Sequence, residues 1–145
     1  MKELYRLSVV RERTDVRYDA RKPASNSLAA DTLLRPFYAG VDREHFIVLL
    51  LDQKNRPIGV HTVAIGSLSA AIVHPREVFK AAILANASGI VLSHNHPSGD
   101  ASPSGEDIAI TKRVREAGDL LGIRVLDHLI LGDDECYSFV DHGVF

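Results

Sequence analysis

Residues 89–93, Gly89 to Ser93, run without polar alternation and are bounded on both sides by turn-forming residues. A strand with one wet face alternates, whereas a strand buried on both faces reads as a continuous apolar run. The segment therefore predicts a central buried strand, and with it a layered architecture in which other elements cover both sides of a sheet. The rest of the chain agrees. Residues 45–52 are a second continuous apolar run, and the turn at 53–57 joins it to residues 58–65, so the pair predicts a hairpin. Further strands are predicted at 4–10, 70–73, 124–131 and 137–140. Three helices alternate with them. One spans about 27–39, with Ser25, Asn26 and Ser27 as cap candidates and Leu34, Phe37, Tyr38 and Val41 on one face. One runs from Pro75 to about Asn86. The last covers about 104–121, ended by Gly122. The expectation is an α/β domain with a mixed sheet flanked by helices.

The chain is 145 residues long, which suits one domain. A hydrophobic fraction of 46% with 25% charge excludes disordered and coiled-coil classes. The longest purely apolar run, residues 46–51, is far too short to span a bilayer, and no apolar signal region follows Met1, so a cytoplasmic protein without membrane contact is expected. Cys136 is the single cysteine, which rules out an internal disulfide and an all-thiolate zinc site. Residues 1–35 carry eight Lys/Arg and five Asp/Glu, a net of +3; residues 36–145 carry nine and fourteen, a net of −5. The basic excess, from Arg11, Arg13, Arg17, Arg21 and Lys22, is broken by Glu12, Asp15 and Asp19 and reads as a solvated arm, so direct DNA binding is expected to be weak or absent.

The chemistry concentrates after the buried strand. His94 and His96 are spaced i, i+2, so in extended backbone both imidazoles point the same way while Asn95 turns aside. Ser104 and Asp107 follow at the start of the next helix. Two histidines, one carboxylate and an open position make the ligand set of a catalytic zinc, with His94, His96 and Asp107 as the metal ligands. Ser104 and Asp107 also fit a helix-start capping box. His94-Asn95-His96 is not an HNH nuclease, whose residues are spread over a ββα unit, and a zinc deaminase needs a cysteine pair that is missing.

This pattern resembles the JAMM signature of the JAB/MPN superfamily, and its surroundings resemble the RadC branch. The stretches that carry the likeness are Arg43-Glu44-His45-Phe46 with Leu49 to Asp52, His74-Pro75-Arg76-Glu77-Val78, Ser93 to Asp100 with Pro103-Ser104, and Leu126-Asp127-His128. The likeness runs from about residue 43 to the C-terminus, so residues 43–145 are expected to be the metal-binding domain, with residues 1–42 a strand and helix integrated with it. It implies a cytidine-deaminase-like fold and a zinc-dependent hydrolase acting on a peptide or isopeptide amide of a peptide or protein substrate. By the same resemblance Glu44 is the general base and Ser104 steadies the developing oxyanion. Read alone, Glu44 is a charge at a strand edge. Longer RadC proteins carry a helix-hairpin-helix module that residues 1–42 do not match.

The remaining candidates read more plainly. His74 is a helix-start residue. The Asp127-His128 pair is expected in the core or behind the ligands. Cys136 follows Asp133, Asp134 and Glu135, whose charge opposes a reactive thiolate. The competing functional class is a non-enzymatic accessory module of a DNA repair or recombination assembly; an intact base at Glu44 favours the enzyme. Oligomeric state is not encoded legibly.

Overall fold

The computed structural model of the chain describes residues 1–19, 21–67 and 72–145. Five strands form one sheet: β1 (His45–Leu51), β2 (Pro57–Ile65), β3 (Gly89–Asn95), β4 (Arg124–Leu131) and β5 (Cys136–Ser138), in the order β2-β1-β3-β4-β5. The β3–β4 pair is parallel and the other pairs are antiparallel, so the sheet is mixed as expected. The predicted hairpin is β1–β2, closed by Asp52, whose carboxylate accepts from the backbone N–H of Lys54 and Arg56 at 2.8 and 2.9 Å.

Helix α1 (Ser27–Leu34) is capped by Asn26, whose side chain accepts from the Ala29 N–H at 2.8 Å. The α-helix stops short of residue 39 and tightens into a 3₁₀ turn at Arg35–Tyr38. Pro36 explains the change, since it has no N–H to give to the carbonyl one turn back. Helices α2 (Pro75–Leu84) and α3 (Gly105–Leu121) lie where predicted, and Gly122 ends α3 in the left-handed region at φ 73°. Alternate side chains of the central strands feed two cores. Phe46, Val48, Leu50, Ile90 and Leu92 pack with α2 and α3, whereas Ile47, Leu49, Leu51 and Val91 pack with α1. Every residue of β3 is buried, the double-sided burial that its apolar run requires.

Four expectations need correction. Residues 4–10 form no strand, and Leu4, Tyr5 and Leu7 are 80–101% exposed. Strand propensity measures fit to a half-buried pleated surface, and this segment pairs with no neighbour that would supply one. Of the strand predicted at 70–73, Ala70 and Ala71 lie outside the described residues, while Ile72 and Val73 occupy a turn and a bend. The last strand ends at Ser138 rather than Val140, because the Asp127 carboxylate accepts the Val140 N–H at 3.0 Å and turns the chain off the ladder. The central strand continues to Asn95, since His94 pairs with both Phe46 of β1 and Ile130 of β4. His94 is therefore set by the sheet and not by a loop. No helix among the described residues is long and apolar enough to cross a membrane.

Candidate metal centre

His94 lies on the α2/α3 face of the sheet, 1% exposed, stacked on Phe46 at a ring separation of 5.9 Å. His96 is the first residue past β3. Its N–H donates to the Leu131 carbonyl at 3.0 Å, and its Nδ1 lies 2.8 Å from the Asp100 carbonyl. A carbonyl only accepts, so His96 Nδ1 holds the proton and Nε2 keeps a lone pair. That lone pair faces inward. His96 Nε2 sits 3.1 Å from His94 Nε2.

Asp107 completes the cluster from the first turn of α3, and the capping box is the device that aims it. The Ser104 hydroxyl accepts the Asp107 N–H at 3.1 Å while Asp107 Oδ2 accepts the Ser104 N–H at 2.8 Å. With its rotamer fixed, the carboxylate puts Oδ1 at 3.3 Å from His94 Nε2 and Oδ2 at 3.3 Å from His96 Nε2. One side chain thus closes the capping box and also faces both histidines. Burial alone would raise the Asp107 pKa, but the facing His94 ring and the Ser104 N–H outweigh it and hold the carboxyl well below its usual range. A permanently ionised carboxylate and two imidazole nitrogens converging on one point is an arrangement that could hold a metal ion, and these three are the cluster of that kind among the described residues.

Glu44 stands half-buried just before β1. It lies two residues before Phe46, whose partner on β3 is His94. Asn95 fixes this segment: its Oδ1 accepts from the His45 N–H at 2.7 Å and its Nδ2 donates to the Arg43 carbonyl at 3.1 Å. The residue between the two histidines therefore grips the backbone on either side of Glu44. The sequence shows only that Asn95 turns aside from the histidines, because its partners at Arg43 and His45 lie 52 and 50 residues away.

Behind the histidine pair, His128 is fully buried, with Nε2 at 2.8 Å from His94 Nδ1 and Nδ1 in a short hydrogen bond with the Thr111 hydroxyl. Burial first, then the neighbouring His94, push the His128 pKa well below the usual value. Thr111 was missed, although its i+4 spacing from Asp107 puts both on one helix face. Asp127 serves the fold, accepting from the N–H groups of His128 and Val140 at 2.7 and 3.0 Å and from the Ser138 hydroxyl. His74 caps α2, its Nδ1 accepting the Arg76 N–H at 3.1 Å, and is not part of the cluster. The Cys136 pKa is pushed up to about 12 by burial first and by Asp31 second, which disfavours the thiolate; that acid belongs to α1 rather than to residues 133–135.

A family model for the RadC-like JAB domain matches residues 24–144. The chain belongs to the RadC-like JAB family. The mixed five-stranded sheet with its three helices is the α/β architecture of that fold. Relatives of this JAB domain include a UPF0758 protein of Rubrobacter xylanophilus, 48% identical over 138 residues that cover 95% of the chain and 60% of the relative. A second, from Pelobacter propionicus, is 60% identical over 102 residues, covering 70% of the chain and 44% of the relative. The chain thus spans about half the length of the curated relatives it matches.

Proposed function

We propose that this RadC-like JAB domain is a zinc-dependent hydrolase of the JAMM type that cleaves a peptide or isopeptide amide in the cytoplasm. One observation carries the reading: the two histidine Nε2 atoms lie 3.1 Å apart, and each is 3.3 Å from one oxygen of the Asp107 carboxylate, Oδ1 for His94 and Oδ2 for His96. A tetrahedral zinc with bonds of about 2.0–2.1 Å needs donor separations of roughly 3.3–3.4 Å. The donor set fits with little adjustment. Three protein ligands also leave one position open, as a catalytic centre requires.

When bound, zinc supplies Lewis acidity toward the amide carbonyl and lowers the pKa of water at the site to about 7. The protein's own groups do the rest. Glu44 takes a proton from the attacking water and returns it to the leaving amine, a role its carboxylate can fill in both directions. The Ser104 hydroxyl, whose capping bond uses only an acceptor lone pair, keeps a proton to donate to the developing oxyanion. Asn95 holds the Glu44 backbone against the sheet so that the base does not drift from the ligands.

Metal analysis of the purified chain, paired with an activity screen on peptides and on DNA, tests the proposal. About one zinc per chain is expected, lost in His94→Ala or His96→Ala because two remaining ligands cannot hold the ion. Stoichiometric zinc in the double variant would remove this site. The competing reading, an accessory module that docks on a DNA repair or recombination assembly, draws on the exposed arm that carries Leu4, Leu7, Arg6 and Arg11. A zinc-loaded chain inert toward every amide, yet retained by DNA, would favour it.

A further inference from the structure

The hydrogen bonds behind the histidines have a direction, and it can be read from one carbonyl. Thr111 Oγ1 lies 2.7 Å from the backbone oxygen of Asp107. That oxygen only accepts, so the hydroxyl proton lies on this bond. Toward His128 Nδ1 the hydroxyl must then accept, which places the His128 proton on Nδ1. The ring is wholly buried, edge-on to Phe46 at 5.5 Å and stacked on Phe139 at 4.8 Å. Apolar surroundings disfavour a charged ring, which leaves Nε2 of His128 as an acceptor. His94 Nδ1, 2.8 Å away, is consequently the donor, and its Nε2 keeps the lone pair that faces His96 and Asp107.

We infer that His128, oriented by Thr111, is a positioning residue that locks His94 in the tautomer able to bind metal. The chain starts and ends at Asp107. Its carboxylate faces the histidines while its backbone oxygen, through Thr111 and His128, sets which nitrogen of His94 is unprotonated. One helical turn thus supplies a ligand and prepares another, so the site is assembled before any ion arrives. A bare imidazole in solution divides its proton between two nitrogens, and one of the two forms cannot ligate through Nε2. The inference rests on His94, His96 and Asp107 being the metal ligands.

The test begins without metal. In the histidine-¹⁵N-labelled apo chain, long-range nitrogen–proton NMR correlations report the tautomer of each ring, and both His94 and His128 are expected as the Nδ1–H form. A His94 ring protonated on Nε2 in the neutral state would overturn the inference. Thr111→Val keeps the side-chain size and removes the hydroxyl. His94 should then show a mixture of tautomers, and zinc affinity measured by competition with a chelating dye should weaken by about 10- to 100-fold. Thr111→Ser should restore both, because it returns the hydroxyl while lacking the methyl. Unchanged zinc affinity and tautomer in Thr111→Val would refute the relay, and so would a loss that Thr111→Ser does not rescue. If the wild type binds no zinc, the ligand reading fails by itself, while the apo spectrum still decides the relay. The same spectrum decides it if Thr111→Val does not fold.

Discussion

Ser104 and Glu44 are the two residues that the proposed hydrolase reading assigns to the chemistry, and that reading predicts that removing them has different consequences. Glu44→Gln keeps size and hydrogen-bonding reach but cannot accept a proton, so zinc content should stay at the wild-type level while amide turnover falls by about 10² to 10⁴. Zinc loss in that variant would make Glu44 a ligand, and undiminished turnover would take it out of the mechanism. Ser104→Ala removes the proposed oxyanion donor and also the N-cap of α3. It should cost about 1 kcal/mol in thermal or urea unfolding, and it should weaken zinc binding as well as turnover, since the Asp107 rotamer loses its reciprocal bond. Equal zinc affinity in the two variants would mean the capping box does not steer Asp107. Cys136 gives a pH-dependent test. Its folded pKa of about 12 lies above the roughly 8.5 of an unfolded thiol, so its contribution to stability is fully present below about pH 8.5 and is lost as pH rises toward 12. At pH 8 the thiolate fraction of the folded chain should be about 10³-fold lower than that of the unfolded chain. Iodoacetamide labelling followed by mass spectrometry reads this directly, and comparable rates in the presence and absence of urea would contradict the burial of the thiol.

The segment between β3 and α3 owes its shape to the turn between β4 and β5. The Asp133 N–H reaches the Gly99 carbonyl at 3.4 Å, and the His96 N–H is bonded to Leu131 next door. Gly132 sits where this contact is tightest, and a Cβ there would collide with the Gly99 carbonyl. Gly132→Ala should therefore destabilise the fold by about 1–3 kcal/mol and weaken zinc binding, because the backbone that carries His96 must shift. Gly105→Ala is the control: a Cβ at that helix start meets nothing within 4 Å, so both its melting temperature and its zinc affinity should stay near wild type. If Gly132→Ala bound zinc as well as Gly105→Ala, the turn would not be a support of the site. At this scale the sequence was legible wherever a pattern is local. Apolar runs marked β1 and β3, cap candidates marked the starts of α1 and α3, and Pro75 marked the start of α2. The cluster of His94, His96 and Asp107 was legible because i, i+2 spacing and a helix start are also local. The contact of Thr111 with His128 spans 17 residues and two elements, so no window along the chain contains it. The arm at residues 4–10 misled for the converse reason, having strand propensity but no partner.

For the molecule as a whole, α1 is the cover of one sheet face. Leu34 and Ala30 are buried against Leu49, Leu51 and Val91. A chain started at residue 43 should expose that face, losing about 1.5–3 kcal/mol for Leu34 alone, and should aggregate or melt without cooperativity. Removing only residues 1–7 should leave the melting temperature almost unchanged, since Leu4, Tyr5 and Leu7 have 80–101% of their surface in water already. Calorimetry on the two truncations separates these cases, and similar melting of both would mean that α1 is dispensable. The same division of the chain governs its response to nucleic acid. Many cations of the folded body are engaged by acids: Arg35 with Asp31, Arg43 with Asp42, Arg56 with Asp52 and Lys80 with Glu77. The body beyond residue 35 carries a net charge of −5 and repels phosphate. Attraction is left to the exposed arm, where Arg6, Arg11, Arg13 and Arg17 can each neutralise one phosphate. Four such contacts give a salt slope of about −3.6, so affinity for duplex DNA should fall about 10²-fold between 50 and 200 mM salt and should be indifferent to sequence. Fluorescence anisotropy with two unrelated duplexes measures both properties. Sequence-dependent binding that survived the higher salt would require base contacts beyond these four phosphate contacts, and would move the chain from the hydrolase reading toward the accessory one.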